Sequence, residues 1–337
     1  MKKIYLILSV FAIVFTACET DFDVNATWEE VTVVYGLLDA GEGEKVQKIK
    51  ISKAFLGEMD ALQMAQYADS INFDPNHLNV KIYKLEDDII IDSVSLFADT
   101  TIRAGGIFNE TIIIYEFTNN DFLKSSSEYV IINYELVIKN KVSENKVTAK
   151  TEIISGFSFD MPSAYQFGFI SSFTEEMPSA TVFSSGSIDW NTVDNGKIYQ
   201  IDLLINYTEG NIGDENSVNK QLVFSQDLVS DDKKTLKIEG ESFFNFLRVN
   251  LEKDNTKKRN FIDIDVVMTV GSEDLETYIN VNKPITGIVQ ERPYFTNVNN
   301  GIGLFSSRFT KTRNNLPLTT QSKDYLKSVD GLDRNFQ

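Results

Sequence analysis

Cysteine and histidine are almost absent from this chain of 337 residues, which contains one of each. A disulfide needs two cysteines, and a zinc site of the usual kind needs several cysteine or histidine ligands. The sequence therefore excludes an intrachain disulfide and zinc-dependent hydrolysis of that kind, and it predicts no metal and no cofactor. His77 ends an Asp-Pro-Asn-His segment that is typical of a turn. Because no Gly-x-Ser-x-Gly motif accompanies it, we expect an exposed loop residue rather than a member of a catalytic triad.

Basic residues are too few to balance the acidic ones, since 32 lysines and arginines face 49 aspartates and glutamates and the formal net charge is −17. Such a chain repels the phosphates of nucleic acids and anionic lipid surfaces, so we expect no nucleic-acid partner. Proline is also scarce, with 6 residues, whereas 42% of the chain is hydrophobic. This composition indicates a folded globular protein that depends on its core, not a disordered stalk.

The first 17 residues have the three regions of a secretory signal peptide. Residues 1–3 supply positive charge, residues 4–15 form an apolar run, and two small residues precede Cys18. The apolar run is shorter than the roughly 20 residues that a membrane span needs. The end of this segment resembles a bacterial lipobox, with phenylalanine where leucine is usual. We expect the Cys18 sulfur to carry a diacylglycerol and to anchor the protein in membrane lipid; the alternative is a lone thiol after a signal sequence.

Residues 18–27 follow as an acidic tether with carboxylates at Glu19, Asp21 and Asp23. An acidic stretch directly after the cysteine resembles the surface-export signal of Bacteroidetes lipoproteins. The alternative is a solvated acidic linker without a sorting role. The resemblance implies a lipid-anchored protein of the outer membrane that is exposed at the cell surface.

Residues 28–155 consist of short alternating apolar and polar segments with turn residues between them. Strands are expected at 31–35, around Ile49 and Ile51, and at 80–85, 89–94, 112–117, 129–139 and 146–151. This pattern is typical of an immunoglobulin-like or fibronectin-like β-sandwich. Residues 58–69 interrupt it with helical spacing and predict a short helix over an edge or end of a sheet.

Residues 156–310 are predicted to form a second β-rich domain. Strands are expected at 180–184, 198–207, 221–226 and 261–270, the last with Ile262, Ile264, Val266, Met268 and Val270 on one face. Residues 242–252 and 273–281 follow the 3.6-residue period and predict two short core helices. Residues 311–337 are expected to form a polar, loosely held tail with one turn of helix at 322–326.

Paired carboxylates could still support catalysis, because hydrolysis of a glycosidic bond needs a protonated acid and an ionised partner several ångströms apart. Asp263 and Asp265 lie on the same face of their predicted strand. A solvated sheet face is the favoured explanation for them. We predict no enzymatic activity and keep a glycan-acting enzyme as an alternative.

The segment at residues 292–308 combines arginine and aromatic residues with a glycine-bearing turn. Arginine and aromatic side chains are enriched in the hot spots of interfaces. The candidate partner-interface residues are therefore Tyr294, Phe295, Asn297, Phe305 and Arg308. The alternative is a hairpin that closes the second sheet, with the three aromatic residues in its core. Gly303 would let another backbone or a ligand approach closely.

Residues 296–308 have the sequence Thr-Asn-Val-Asn-Asn-Gly-Ile-Gly-Leu-Phe-Ser-Ser-Arg. Together with the lipobox and the Val-Tyr-Gly-Leu-Leu run at 34–38, they resemble a family of Bacteroidetes outer-membrane lipoproteins of unknown function. Members are often encoded beside TonB-dependent receptors. The resemblance brings no catalytic residues; it implies a non-enzymatic binding or accessory subunit with a TonB-dependent outer-membrane receptor as its partner. A structural or adhesion component of the cell envelope is the alternative.

Overall fold

A computed structural model describes residues 31–43, 45–54, 71–102, 111–118, 121–124, 132–154, 156–162, 166–191, 193–230, 233–284 and 293–337. The signal peptide, Cys18, the acidic tether and the helix expected at 58–69 lie outside these ranges, so the predictions about them stay predictions. Within the described residues the protein is mostly β, with several sheets and three α-helices, which confirms the prediction of a mostly β fold.

The strands of the N-terminal part are short, and most of them alternate between buried and exposed side chains. They are β1 (Val31–Asp39), β2 (Gln47–Ala54), β3 (Leu78–Glu86), β4 (Ile89–Ser95), β5 (Phe97–Ile102), β6 (Thr111–Phe117), β7 (Ile132–Asn140) and β8 (Lys146–Glu152). A single 3₁₀ turn, Pro75–His77, precedes β3 and leaves His77 exposed.

These eight strands form two layers around a common core. One layer has the order β1-β2-β6-β5 and the other has the order β8-β7-β3-β4. An immunoglobulin-like sandwich places strands A, B, E and D in one sheet and strands C, F and G in the other, with C′ beside C in some variants. Labelling the eight strands A, B, C, C′, D, E, F and G produces both observed orders. Side chains of both layers, among them Ile49, Ile82 and Tyr134, are fully buried in what we call the first core.

The strands after residue 158 differ widely in length. They are β9 (Phe159–Met161), β10 (Ile170–Ser172), β11 (Val182–Phe183), β12 (Ser185–Trp190), β13 (Ile198–Asn211), β14 (Ser217–Ser225), β15 (Val229–Ser230), β16 (Thr235–Glu239), β17 (Lys257–Gly271), β18 (Val298–Asn299) and β19 (Gly301–Leu316). The helices are α1 (Gly240–Asn250), α2 (Glu273–Asn282) and α3 (Thr320–Lys327). Both helices expected in this part are present as α1 and α2. None of the helices in the described ranges is long and apolar enough to cross a membrane.

The long strand β19 joins the two halves of the chain in one sheet. Residues 301–308 of β19 pair in parallel with β1, and residues 308–316 pair antiparallel with β17. The sheet consequently runs β14-β13-β17-β19-β1-β2-β6-β5, with β15 beside β13. One strand and one sheet thus serve both halves of the chain. The predicted domain limits stay predictions.

The second core lies in the C-terminal half and is rich in aromatic side chains. Phe169 stacks on Phe243 with 4.0 Å between ring centroids, and Trp190 and Tyr199 pack beside each other at 5.3 Å. Helix α1 contributes Phe243 together with other buried side chains, as expected of a core helix. Helix α2 has no buried residue, so the prediction that it is a core helix is wrong.

One face of β17 departs from strict alternation. Ile264, Val266, Met268 and Val270 are fully buried as predicted, whereas Ile262 is 47% exposed. The register between β13 and β17 shifts opposite Asn206 and Tyr207, and a bulge of this kind moves the following side chains to the other face. Phe261 therefore packs against the second core in place of Ile262.

The C-terminal segment is part of the second core, which corrects the prediction of a loosely held tail at 311–337. Five of its apolar side chains are each at most 4% exposed; they are Leu316, Leu318, Leu326, Leu332 and Phe336. The backbone of Arg259 donates to Asn335 O and accepts from Gln337 N, both at 2.9 Å. Polar residues separate these apolar residues along the chain. The sequence pattern therefore indicated too few apolar residues for a packed segment.

Candidate functional site

An open groove of about 860 Å³ lies where β1, β2, β19 and α2 meet. Its volume is within the range of about 300–1,000 Å³ that is usual for ligand sites. The lining combines aromatic, aliphatic and cationic side chains, among them Tyr35, Lys45, Lys48, Tyr278, Leu304 and Arg308. We take this groove as the candidate functional site.

Helix α2 forms one wall of the groove. It follows β17 directly after Gly271 and Ser272, and three acidic residues in its first turn interact favourably with the helix dipole. Its face with Leu275, Tyr278 and Ile279 lines the groove and is half-exposed. The spacing of these residues predicted an apolar face correctly, but this face borders an open groove instead of the core.

Tyr35 of β1 and Tyr278 of α2 meet across the groove. The Tyr278 hydroxyl donates to the Tyr35 hydroxyl at 3.3 Å, and the rings pack edge to face with 6.0 Å between centroids. This hydrogen bond, with smaller contributions from burial and from Tyr278 and Tyr294 nearby, raises the pKa of Tyr35 to about 12. Tyr35 therefore offers neutral aromatic surface with a polar tip at physiological pH.

Asp39 is the last residue of β1, and its carboxylate connects the polar residues at one end of the groove. Its carboxylate is 8% exposed and accepts hydrogen bonds from five donors. They are Gly41 N at 2.9 Å, Lys45 Nζ at 2.8 Å, Arg308 Nε at 3.1 Å, Thr310 N at 3.3 Å and Thr310 Oγ1 at 3.1 Å. The carboxylate thus ties the β1–β2 connection to β19.

The charge of Asp39 is stabilised despite its burial. Burial alone raises the pKa of this carboxyl, but the hydrogen bonds from Lys45 and Gly41 and the charges of Lys45 and Arg308 outweigh it and hold the pKa below 3.8. The backbone of Asp39 is fixed as well, since its N–H donates to Gln47 Oε1 at 2.8 Å and its carbonyl accepts from Gln47 Nε2 at 2.9 Å. Asp39 is therefore an ionised and rigid acceptor at neutral pH.

The groove is a region of positive charge on the surface of an acidic protein. Among the residues that the structure describes, Lys45, Lys48 and Arg308 line the groove as cations and Asp39 as a carboxylate. Lys48 is 63% exposed and is 3.9 Å from Glu116, which is a weak, solvated pair. The whole chain has a formal charge of −17. The described charged side chains of the groove therefore have a positive net charge, whereas the whole chain has a negative one.

The structure separates the five residues that the sequence suggested as an interface. Tyr294 is 68% exposed and Phe295 is half-buried. Phe305 is fully buried in the first core and cannot contact a partner in the folded protein, which corrects its assignment. Asn297 serves the chain itself, because its amide donates to Phe305 O at 2.7 Å and accepts from Phe305 N at 3.0 Å. Arg308 lines the groove.

The alternative of a hairpin within residues 292–308 is also corrected, because β18 pairs with β8 and not with β19. Gly303 was predicted to let another backbone or a ligand approach closely. In the structure it lies against the backbone of Val34. Gly303 has φ +118°, and a Cβ at this position would be 1.9 Å from Val34 O. Only glycine accommodates both the backbone angle and the close approach of β19 to β1.

Asp263 and Asp265 face the same side of β17, as predicted. The amide of Asn206 bridges them, donating to Asp263 Oδ1 at 2.7 Å and to Asp265 Oδ2 at 2.9 Å. Asp265 also accepts from Asn315 N at 2.9 Å. The two carboxylates are half-buried and are hydrogen-bonded to neighbouring strands, whereas a solvated sheet face was expected.

Of the described residues that line the groove, Arg308 was predicted as a site residue, whereas Asp39, Tyr35 and Tyr278 are among those that were not. Asp39 had a signal, since Asp-Ala-Gly is typical of a turn in which the aspartate accepts from the second residue after it. Tyr35 had a weaker one, because it occupies an outward position of an alternating strand. Tyr278 had none, since a tyrosine on the apolar face of a helix is usually packed. Among the described residues, no cluster of three or more His, Cys, Asp or Glu side chains could hold a metal ion.

Comparison of the sequence with protein-family models found no match. Comparison with curated proteins also found no match. Comparison with solved structures found none either. The functional conclusion therefore depends on the residues and the geometry described above.

Proposed function

We propose that this protein is a lipid-anchored, non-enzymatic binding subunit of the outer membrane and that the groove between β1, β2, α2 and β19 receives a segment of its protein partner. The observation that carries the proposal is the lining of the groove, in which aromatic, aliphatic and arginine side chains surround an open volume. Tyrosine and arginine dominate the binding energy of many interfaces.

The titratable groups of the groove support binding rather than catalysis. General acid–base catalysis is most efficient with a group whose pKa is near the operating pH. The pKa of Asp39 is held below 3.8, and that of Tyr35 is raised to about 12. The single histidine, His77, lies at the turn before β3 and does not line the groove.

The lipobox and the run at 296–308 support the identity of the partner. Their resemblance to outer-membrane lipoproteins encoded beside TonB-dependent receptors favours such a receptor. In the structure this run supplies Leu304 and Arg308 to the groove and Gly303 to the junction with β1. The most distinctive segment of the sequence therefore contributes two side chains to the candidate site.

Co-purification from gently solubilised membranes tests the proposal. We expect a receptor at near-equal stoichiometry with the unaltered protein and its loss with Tyr35→Ala or Tyr278→Ala. Val329→Ala is the control, because Val329 is 76% exposed and lies outside the groove. Unchanged co-purification with both tyrosine variants would overturn the proposal. Recovery of several envelope proteins at low stoichiometry would also overturn it, in favour of the structural or adhesion role.

A further inference from the structure

The backbone of Arg308 is held by neighbouring strands on both sides. Arg308 is the residue at which β19 changes partner, since it lies opposite Asp39 of β1 and opposite Gly271 of β17. Its carbonyl also accepts from Ala40 N at 3.3 Å. Strands pair with this backbone on both sides, so the Cα of Arg308 has little freedom to move.

Only part of the Arg308 guanidinium is used by the protein. Nε donates to Asp39 Oδ2 at 3.1 Å, and the side chain is 45% exposed. Within the part of the chain that the structure describes, Nη1 and Nη2 have no hydrogen-bond acceptor. A guanidinium presents its donors as a planar fork that matches the two oxygens of a carboxylate. Asp39 therefore holds the side chain by Nε and leaves the terminal fork for a ligand.

The charges around Arg308 favour an anionic ligand at short range. Lys45 shares the carboxylate of Asp39, so among the described residues this acidic group contacts two cations; Lys48, which lies 3.9 Å from Glu116, also lines the groove. The excess negative charge of the rest of the protein is screened beyond a Debye length of about 8 Å at physiological ionic strength. An anionic group that enters the groove thus meets mainly the cations that line it.

Apolar surface lies in the same groove as this cationic end. Leu304 of β19 and Leu275 and Ile279 of α2 line the groove with the tyrosine pair. Such a combination suits a segment that carries a carboxylate and an apolar or aromatic side chain close together. An open groove between a strand and a helix admits an extended peptide, which the proposed function requires.

We infer that Arg308 binds a carboxylate in an extended peptide segment of the partner, that Tyr35 and Tyr278 pack against a neighbouring apolar side chain of that segment, and that Asp39 is the positioning residue that orients Arg308. This inference rests on the proposed function and specifies its ligand.

Site-specific photo-crosslinking tests the inference and the proposed function separately. A photoreactive phenylalanine analogue replaces Tyr278 in cells, and the crosslinked peptide is identified by mass spectrometry; the same replacement at Val329 is the control. We expect a single peptide with an Asp, a Glu or a free C-terminus within a few residues of the crosslink. Absence of any crosslink at 278 would overturn the proposed function. A crosslinked peptide without a carboxylate would overturn only the present inference.

The captured sequence then serves as a synthetic peptide for binding measurements. Replacement of its acidic residue by the amide, or amidation of its C-terminus, shows which carboxylate binds, and we expect the relevant change to weaken binding about 10- to 100-fold. Arg308→Lys should also weaken binding of the acidic peptide, because lysine keeps the positive charge but lacks the planar fork of donors. Arg313→Lys, on β19 outside the groove, should change nothing.

Asp39→Asn separates positioning from a general structural effect. If Asp39 orients Arg308, the variant weakens binding of the acidic peptide and leaves binding of the amide peptide unchanged. Equal weakening of both peptides would assign Asp39 a merely structural role. If Asp39→Asn fails to fold, Arg308→Lys still decides the inference, since unchanged affinity of that variant for the acidic peptide overturns it.

Discussion

Phe305 and Phe309 lie on the same strand, β19, but belong to two different cores. Phe305 is fully buried in the first core, whereas Phe309 packs in the second core edge to face against Phe157, with 5.7 Å between ring centroids. Arg308, where β19 changes its pairing partner, lies between them. The groove is thus built at the junction of the two cores, and changes in β19 affect the folding of both.

Phe305→Ala should lower the free energy of unfolding by about 3–5 kcal/mol, because it removes a fully buried aromatic side chain and leaves a cavity. Tyr294→Ala is the control, since Tyr294 is 68% exposed, and should change stability by about 0.5 kcal/mol or less. Denaturant unfolding measures both variants. A Phe305→Ala protein of unaltered stability that no longer binds its partner would restore Phe305 to the interface.

Gly303→Ala should destabilise the protein more than Gly213→Ala. Both glycines have positive φ, +118° and +84°, but a Cβ at Gly303 would be 1.9 Å from Val34 O, whereas nothing lies within 4 Å of a Cβ at Gly213. The second variant isolates the conformational cost of about 1–2 kcal/mol. The first adds the separation of β19 from β1. Equal losses in urea unfolding would mean that the close approach does not contribute.

Phe336→Ala should lower the free energy of unfolding by about 3–5 kcal/mol, since this side chain is 4% exposed and packs beside Tyr207 with 6.1 Å between centroids. Val329→Ala, in the same C-terminal segment, should have little effect because Val329 is 76% exposed. Calorimetry compares their melting temperatures. A loosely held tail would instead leave both variants as stable as the unaltered protein.

Acid should destabilise the protein partly through Asp39. The pKa of this carboxyl in the folded state is below its ordinary value of 3.8, so its stabilising contribution is present above that value and is lost as the pH falls through the folded pKa. The free energy of unfolding should therefore decrease between about pH 5 and pH 3, and less steeply in Asp39→Asn. Asp330→Asn, at an exposed site, controls for removal of a charge. Parallel pH curves for all three proteins would contradict the assignment.

Cys18→Ser should release the protein from the membrane fraction, because the variant has no sulfur to receive a diacylglycerol and the chain contains one cysteine. Two acyl chains hold a protein stably at about 0.8 kcal/mol per buried CH₂. Detergent phase separation of whole cells measures the partition, with Thr20→Ala as the control that keeps the sulfur. A Cys18→Ser protein that still enters the detergent phase would exclude the anchor.

Local patterns in the sequence predicted part of the elements of the fold. Alternation of apolar and polar residues located β1 to β4 and β6 to β8 but not β5, and the 3.6-residue period located α1 and α2. These patterns are readable because they depend on neighbours along the chain. The scarcity of histidine and cysteine likewise restricted the chemistry without any structure.

Tertiary structure alone decided how these elements combine. The parallel pairing of β19 with β1 joins residues 301–308 to residues 32–39. The sequence of neither segment indicates that the other is its partner. The burial of Phe305, the exposure of Ile262 at a bulge and the packing of the C-terminal segment all follow from such pairings. The site depends on them most, because the carboxylate of Asp39 reaches Arg308 only when β1 and β19 lie side by side. Contacts between residues distant in sequence are set by the total packing energy of the fold, so no local pattern records them.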